Sequence, residues 1–130
     1  MKIFADSSAL VALFRKSDPN HQKALTISKQ LDSNIGIISH YIFAETVTIL
    51  SQKEGKQQAI DVGEILRNKF IWITIDENIC DLAWELFQKQ LSKNTSFVDC
   101  TTFALYKEEI FDKAFAFDDD FKANKIPLLG

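Results

Sequence analysis

Four carboxylates occupy positions where a surface acid would not be expected. Asp6 ends the apolar run I-F-A and is followed by two serines and a second apolar run, A-L-V-A-L-F. Glu45 lies inside Y-I-F-A-E-T-V-T-I-L, with Ile42 three residues before it and Ile49 four after it. At helical spacing those three share one face. Asp99, in S-F-V-D-C-T-T-F-A-L, shares its face with Ser96 and Phe103, and Asp118 ends K-A-F-A-F at the head of a run of three acids. A lone carboxylate is rarely buried, because taking its charge out of water is expensive.

Each acid has an ordinary local explanation. Asp6 can cap a helix starting at Ser7, and Asp99 can complete an S-x-x-D capping pattern with Ser96. Glu45 can form a buried ion pair, and Asp118, Asp119 and Asp120 can complement a helix dipole. All four explanations must hold separately, whereas a single pocket would account for the acids together. Such a pocket needs something positive to offset the repulsion. His21, His40, Cys80 and Cys100 show no ligand spacing, which argues against zinc. Carboxylates joined by the hydroxyl of Ser7 or Ser8 suit a hard cation, Mg²⁺ or Mn²⁺, whose coordination is typically completed by water and substrate phosphate.

The elements that would position these acids can be read from periodicity. Short apolar runs at Lys2–Ala5, Gly36–Ile38, Phe70–Ile75 and Lys113–Phe117 read as buried strands, and 126–129 reads as a last edge strand. Helical spacing covers Ser8–Arg15, Pro19–Leu31, Tyr41–Gln52, Gln57–Lys69, Asp76–Ser92 and Ser96–Glu109, with a turn or short helix at Asp118–Lys122. Apolar strands alternating with helices predict a mostly parallel sheet of four to five strands, covered on both faces. The chain thus reads as a single-domain three-layer α/β/α sandwich over residues 1–130. In such sheets, sites form at the carboxyl ends of strands, where Asp6 and Asp118 fall.

The totals agree. The 130 residues are 46% hydrophobic and 25% charged, with eleven Phe and two Trp for the core and only four Gly and two Pro. No apolar run approaches the roughly 20 residues of a membrane span, and the N-terminus lacks a signal peptide, so a cytoplasmic protein is expected. The two cysteines read as reduced thiols. A net charge of −3 runs against the basic excess usual in nucleic-acid binders.

Taken in order, I-F-A-D-S-S-A-L, F-A-E-T, S-F-V-D-C and F-A-F-D-D-D-F resemble the PIN domain of metal-dependent ribonucleases, in particular VapC-like toxins of toxin–antitoxin pairs. The resemblance covers the whole chain. It implies that Asp6, Glu45, Asp99 and Asp118 form the catalytic, metal-binding set, supported by Ser7 or Ser8. Asp119 and Asp120 depart from the family pattern and leave Asp120 as an alternative fourth corner; Asp118 is preferred because it follows the strand directly. The implied reaction is Mg²⁺- or Mn²⁺-assisted hydrolysis of RNA phosphodiesters, leaving a 5′-phosphate and a 3′-hydroxyl without a covalent intermediate. An antitoxin partner and a homodimer are further expectations of the resemblance, with apolar helix faces such as Ile42–Leu50 available for contact. Arg15, Lys16, Lys23, Lys53 and Lys56 could flank the pocket mouth and meet the RNA backbone.

Two rival readings use the same acids differently. A receiver-like signalling domain would need a phosphoacceptor at the end of a middle strand, and Asp76, after F-I-W-I-T-I, is the candidate. A PIN-like module that only binds RNA or a partner would be signalled by loss of one acid to Asn or Gln. All four acids are present.

Overall fold

The computed structural model describes residues 1–130. Four parallel strands form one sheet in the order β3-β2-β1-β4, with β1 at Lys2–Ala5, β2 at Ile35–Ser39, β3 at Ile71–Ile73 and β4 at Lys113–Phe115. Phe4 lies opposite Ile37 on one side and Ala114 on the other. The helices are α1 (Ser7–Phe14), α2 (His21–Ser28), α3 (His40–Glu54), α4 (Lys56–Lys69), α5 (Glu77–Lys89), α6 (Phe97–Lys107) and α7 (Asp119–Ala123).

The chain steps from β1 to β2 to β3 in one direction, then returns to pair β4 with the free side of β1. Right-handed crossovers put the connecting helices of the outward steps on one face and those of the return on the other. Accordingly α1 packs on α2 and α3, α3 packs on α4, and α5 packs on α6. The result is the expected three-layer α/β/α arrangement.

A single cluster of 28 buried residues forms the core. Its centre is β1 and β4, where Ile3, Phe4, Ala114 and Phe115 are fully buried. Phe4 stacks on Phe111 with ring centroids 5.2 Å apart, and each buried Phe contributes about 1.5–3 kcal/mol. Gly36 is required beside this core: a Cβ there would come within 2.8 Å of the Phe70 ring.

Two strands are shorter than their sequence pattern. β3 stops at Ile73 because its partner β2 stops at Ser39, which turns to cap α3 and accepts a hydrogen bond from the Ile42 amide. Thr74 and Ile75 therefore have no ladder to join. β4 stops at Phe115 for the same reason, since β1 gives way to α1 after Ala5. The expected edge strand at 126–129 is reduced to a parallel bridge between Leu128 and Ala114, because Pro127 has no amide hydrogen to extend the pairing. The helix expected over Pro19–Leu31 is an α-helix only from His21 to Ser28 and tightens to a 3₁₀ turn over Lys29–Ser33. On α3, Ile42, Thr46 and Leu50 are fully buried. That stripe is core, so its centre is closed to a partner.

Candidate active site

The strand order reverses between β1 and β4, and a crevice opens there at the carboxyl ends of the strands. The Asp6 amide donates to the Phe115 carbonyl at 2.9 Å, the last rung of that pairing. Asp6 then caps α1. Its Oδ2 accepts from the Ser8 amide (3.1 Å) and the Ser8 hydroxyl (2.6 Å). The same hydroxyl oxygen accepts from the Phe117 amide at 3.1 Å. Ser8 thus ties the end of β1 to the segment leaving β4. Ser7 points the other way and donates to Glu45 Oε1 on α3.

The remaining acids arrive on helix starts. Ser96 and Asp99 form a reciprocal capping box on α6, each amide donating to the other side chain at 3.0 Å, with Asp99 Oδ2 as the acceptor. Asp118 caps α7 through Oδ1, which accepts from the Asp120 amide at 3.0 Å. The local capping explanation and the pocket explanation are therefore both true. Each aspartate closes a helix with one oxygen and has the other left over.

The acids border one crevice. A cavity of about 460 Å³ is lined by Asp6, Ser7, Ser8, Glu45, Asp99 and Asp118. Asp120 does not line it, yet carboxylate oxygens of Asp99, Asp118 and Asp120 lie within 4.8 Å of one another. Asp6 is only 2% exposed and its Oδ1 has no hydrogen-bond partner. An unpartnered buried carboxylate oxygen among acids fits a hard cation: every donor offered is oxygen, and none is nitrogen or sulfur.

Electrostatics agree with the geometry. Burial raises the Asp6 carboxyl to about 7; the Ser8 hydrogen bonds oppose this and the charges of Asp99 and Glu45 add to it. Burial likewise raises Asp99 to about 6, against the Ser96 hydrogen bonds and with help from Asp118 and Glu45. Asp118 is raised too, by burial first and then by the charges of Asp120 and Asp119. With no counter-charge the pocket retains protons, and a cation would take their place. The N-termini of α1 and α6 open onto the crevice, and their dipoles favour negative charge there.

Other sequence candidates lie elsewhere. Asp76 caps α5, with Oδ1 accepting from the Ile79 amide at 2.9 Å. It follows β3, the outer strand, and two strands separate that end of the sheet from β4. His21 is tied to the Ala12 carbonyl by Nδ1 at 2.8 Å, and His40 sits edge-on against Trp72. Arg15 is paired with Glu54 at 3.1 Å, and Lys56 lines a groove between α3 and α4. Both cysteines are free. Two cavity-lining residues carried no usable sequence signal: Asp18 and Asn20. They flank Pro19 in a turn, where Asp18 Oδ1 accepts from the Asn20 amide at 2.8 Å, and such a turn looks the same whether or not a pocket adjoins it.

The sequence profile of the PIN domain matches residues 3–126. The chain belongs to the PIN-domain family. Within the family it is VapC-like. A 23S rRNA-specific endonuclease, VapC20 of Mycobacterium tuberculosis, is 30% identical over 124 residues, which span 93% of this chain and 92% of the relative. The crystal structure of that sarcin–ricin loop cleaving toxin superposes with a TM-score of 0.83 at 28% identity, covering 95% of each chain. VapBC2 of Rickettsia felis, solved with a DNA fragment from its promoter, shares the fold: its TM-score is 0.63 at 19% identity, over 100% of this chain and 98% of that one. No helix of this PIN domain is long and apolar enough to cross a membrane.

Proposed function

We propose that this PIN domain is a Mg²⁺- or Mn²⁺-dependent endoribonuclease and the toxin of a toxin–antitoxin pair. The observation that carries the reading is the buried, unpartnered Oδ1 of Asp6 within a crevice of carboxylates. Asp6, Asp99 and Asp118, with Glu45, would hold the cation, and Asp120, whose carboxylate lies within 4.8 Å of those of Asp99 and Asp118, would assist them. A divalent cation in such a site supplies an activated water and screens the charge that develops on the phosphate.

The chain's own residues prepare that chemistry. Ser8 fixes the rotation of the Asp6 carboxylate by donating twice to Oδ2, which leaves Oδ1 without a protein partner. Ser7 donates to Glu45 Oε1 and leaves Oε2 free to help hold the cation. The capping box fixes Asp99 in the same manner. Val11, Ile49 and Phe117 give the cavity apolar walls, which limit bulk water and strengthen the charge interactions inside.

The receiver-like reading loses its support because Asp76 lies at the far edge of the sheet from the acid crevice. Similarity to a 23S rRNA-specific endonuclease makes 23S rRNA the first substrate to test. A relative described as a toxin supports an antitoxin partner, and the family resemblance supports a homodimer. The deciding experiment incubates purified, partner-free protein with 23S rRNA and a mixed RNA pool in Mg²⁺, Mn²⁺ or EDTA, beside Asp6→Asn and Asp99→Asn. Cleavage that requires metal and disappears in both variants is expected. Equal activity in wild type and variants would overturn the assignment of the pocket.

A further inference from the structure

A second cavity, of about 670 Å³, adjoins the acid crevice, and Asn20, Phe117 and Asp118 line both. Its character is different. Lys23 from α2 and Lys122 from α7 both line it, together with Gln22 and Thr26. The Lys23 ammonium lies 5.8 Å from the centre of the Phe117 ring, an arrangement that holds the charge at the junction of the two cavities. Its volume falls within the roughly 300–1,000 Å³ of small-ligand sites.

Among the basic residues the sequence offered, Lys23 alone lines a cavity continuous with the acids. Arg15 is committed to Glu54, and Lys56 lines a different groove. The acidic side chains lining the second cavity are Asp118 and Asp119, and the last residue, Gly130, lines it too. Asp118 also lines the metal pocket, so a cation there would offset its charge and leave two lysines against one aspartate. An anionic ligand then fits beside the crevice although the whole chain carries a net charge of −3.

We propose that this second cavity is a nucleotide subsite: Lys23 and Lys122 bind the RNA phosphate next to the scissile one and set the strand's register across the acids. The proposal rests on the nuclease reading and adds a substrate position to it. A lysine that grips a neighbouring phosphate does so equally before and during bond cleavage, so its loss weakens binding without slowing the bound complex.

The test compares Lys23→Gln, Lys122→Gln and the double variant with wild type, and with Lys107→Gln, at the opposite end of α6 from Asp99, as a remote control. Cleavage of 23S rRNA and of the mixed RNA pool gives KM and kcat. Anisotropy of a labelled mixed-sequence RNA pool, with each change placed on the Asp99→Asn background and salt titrated, gives the electrostatic part of binding. Expected are a KM raised about 10-fold in the double variant, kcat within about 2-fold, and a salt slope shallower by about 1 to 2. A double variant with wild-type KM and wild-type salt slope overturns the subsite and leaves the nuclease standing. A wild-type chain that neither binds nor cuts RNA overturns both.

Discussion

Asp76 and Asp118 make an instructive pair. Each follows a three-residue strand, each caps the next helix through Oδ1, and the hydrogen bonds are alike at 2.9 and 3.0 Å. By local chemistry they are the same residue. What separates them is the neighbouring strand: β3 ends the sheet beside β2, whereas β4 lies against β1, whose own end carries Asp6. A capping aspartate becomes a candidate ligand when the sheet order sets a second capping aspartate next to it.

The sharpest way to break this comparison is to remove one carboxylate charge from the crevice and one from the end of β3. Asp6→Asn is expected to lower RNA cleavage by at least about 10²-fold, a ligand mattering more than the outer partners that already cost 10- to 100-fold. Asp76→Asn should leave the rate unchanged. Equal losses in the two variants would mean that the crevice has no special standing.

Next in size is the response of the metal-free protein to pH. The Asp6 carboxyl is at about 7 in the folded chain against 3.8 ordinarily. Between those values the folded state binds the extra proton, so stability is greatest at the acid end of the window and falls as pH rises toward 7. The full swing from Asp6 is on the order of 4 kcal/mol, and Asp99 adds to it below about 6. In EDTA the thermal midpoint should fall from pH 4.5 to 7.5, Mn²⁺ should restore it chiefly at the upper end, and Asp6→Asn should flatten the dependence. A midpoint that rises with pH in EDTA would contradict the account.

Smaller still is the tie between the two arms of the crevice. Ser8→Ala frees the Phe117 amide and one hydrogen bond to Asp6, and should cost about 1–2 kcal/mol in denaturant unfolding while reducing cleavage. Asp76→Ala removes a cap and nothing else. It should cost about 1 kcal/mol with activity intact.

The same contrast shows what the sequence could and could not reveal. The order strand, acid, helix at Asp6 was visible because apolar runs and caps are local signals, and the acids at positions 6, 45, 99 and 118 do face one cavity. Strand lengths were not visible. K-A-F-A-F and F-I-W-I-T-I have strand composition throughout, yet each pairs only as far as its partner remains extended. Nor could spacing show that a cap and a cavity-facing acid are one side chain, because that depends on which oxygen is used. Asp18 and Asn20 were invisible for a similar reason: a polar turn carries no mark of the cavity it borders.

The double use of these carboxylates has a practical side. Asparagine keeps the oxygen that closes the helix and puts an uncharged NH₂ in place of the other, so Asp6→Asn or Asp99→Asn should yield a folded, inactive copy. Such a copy would be suited to crystallisation with uncut RNA.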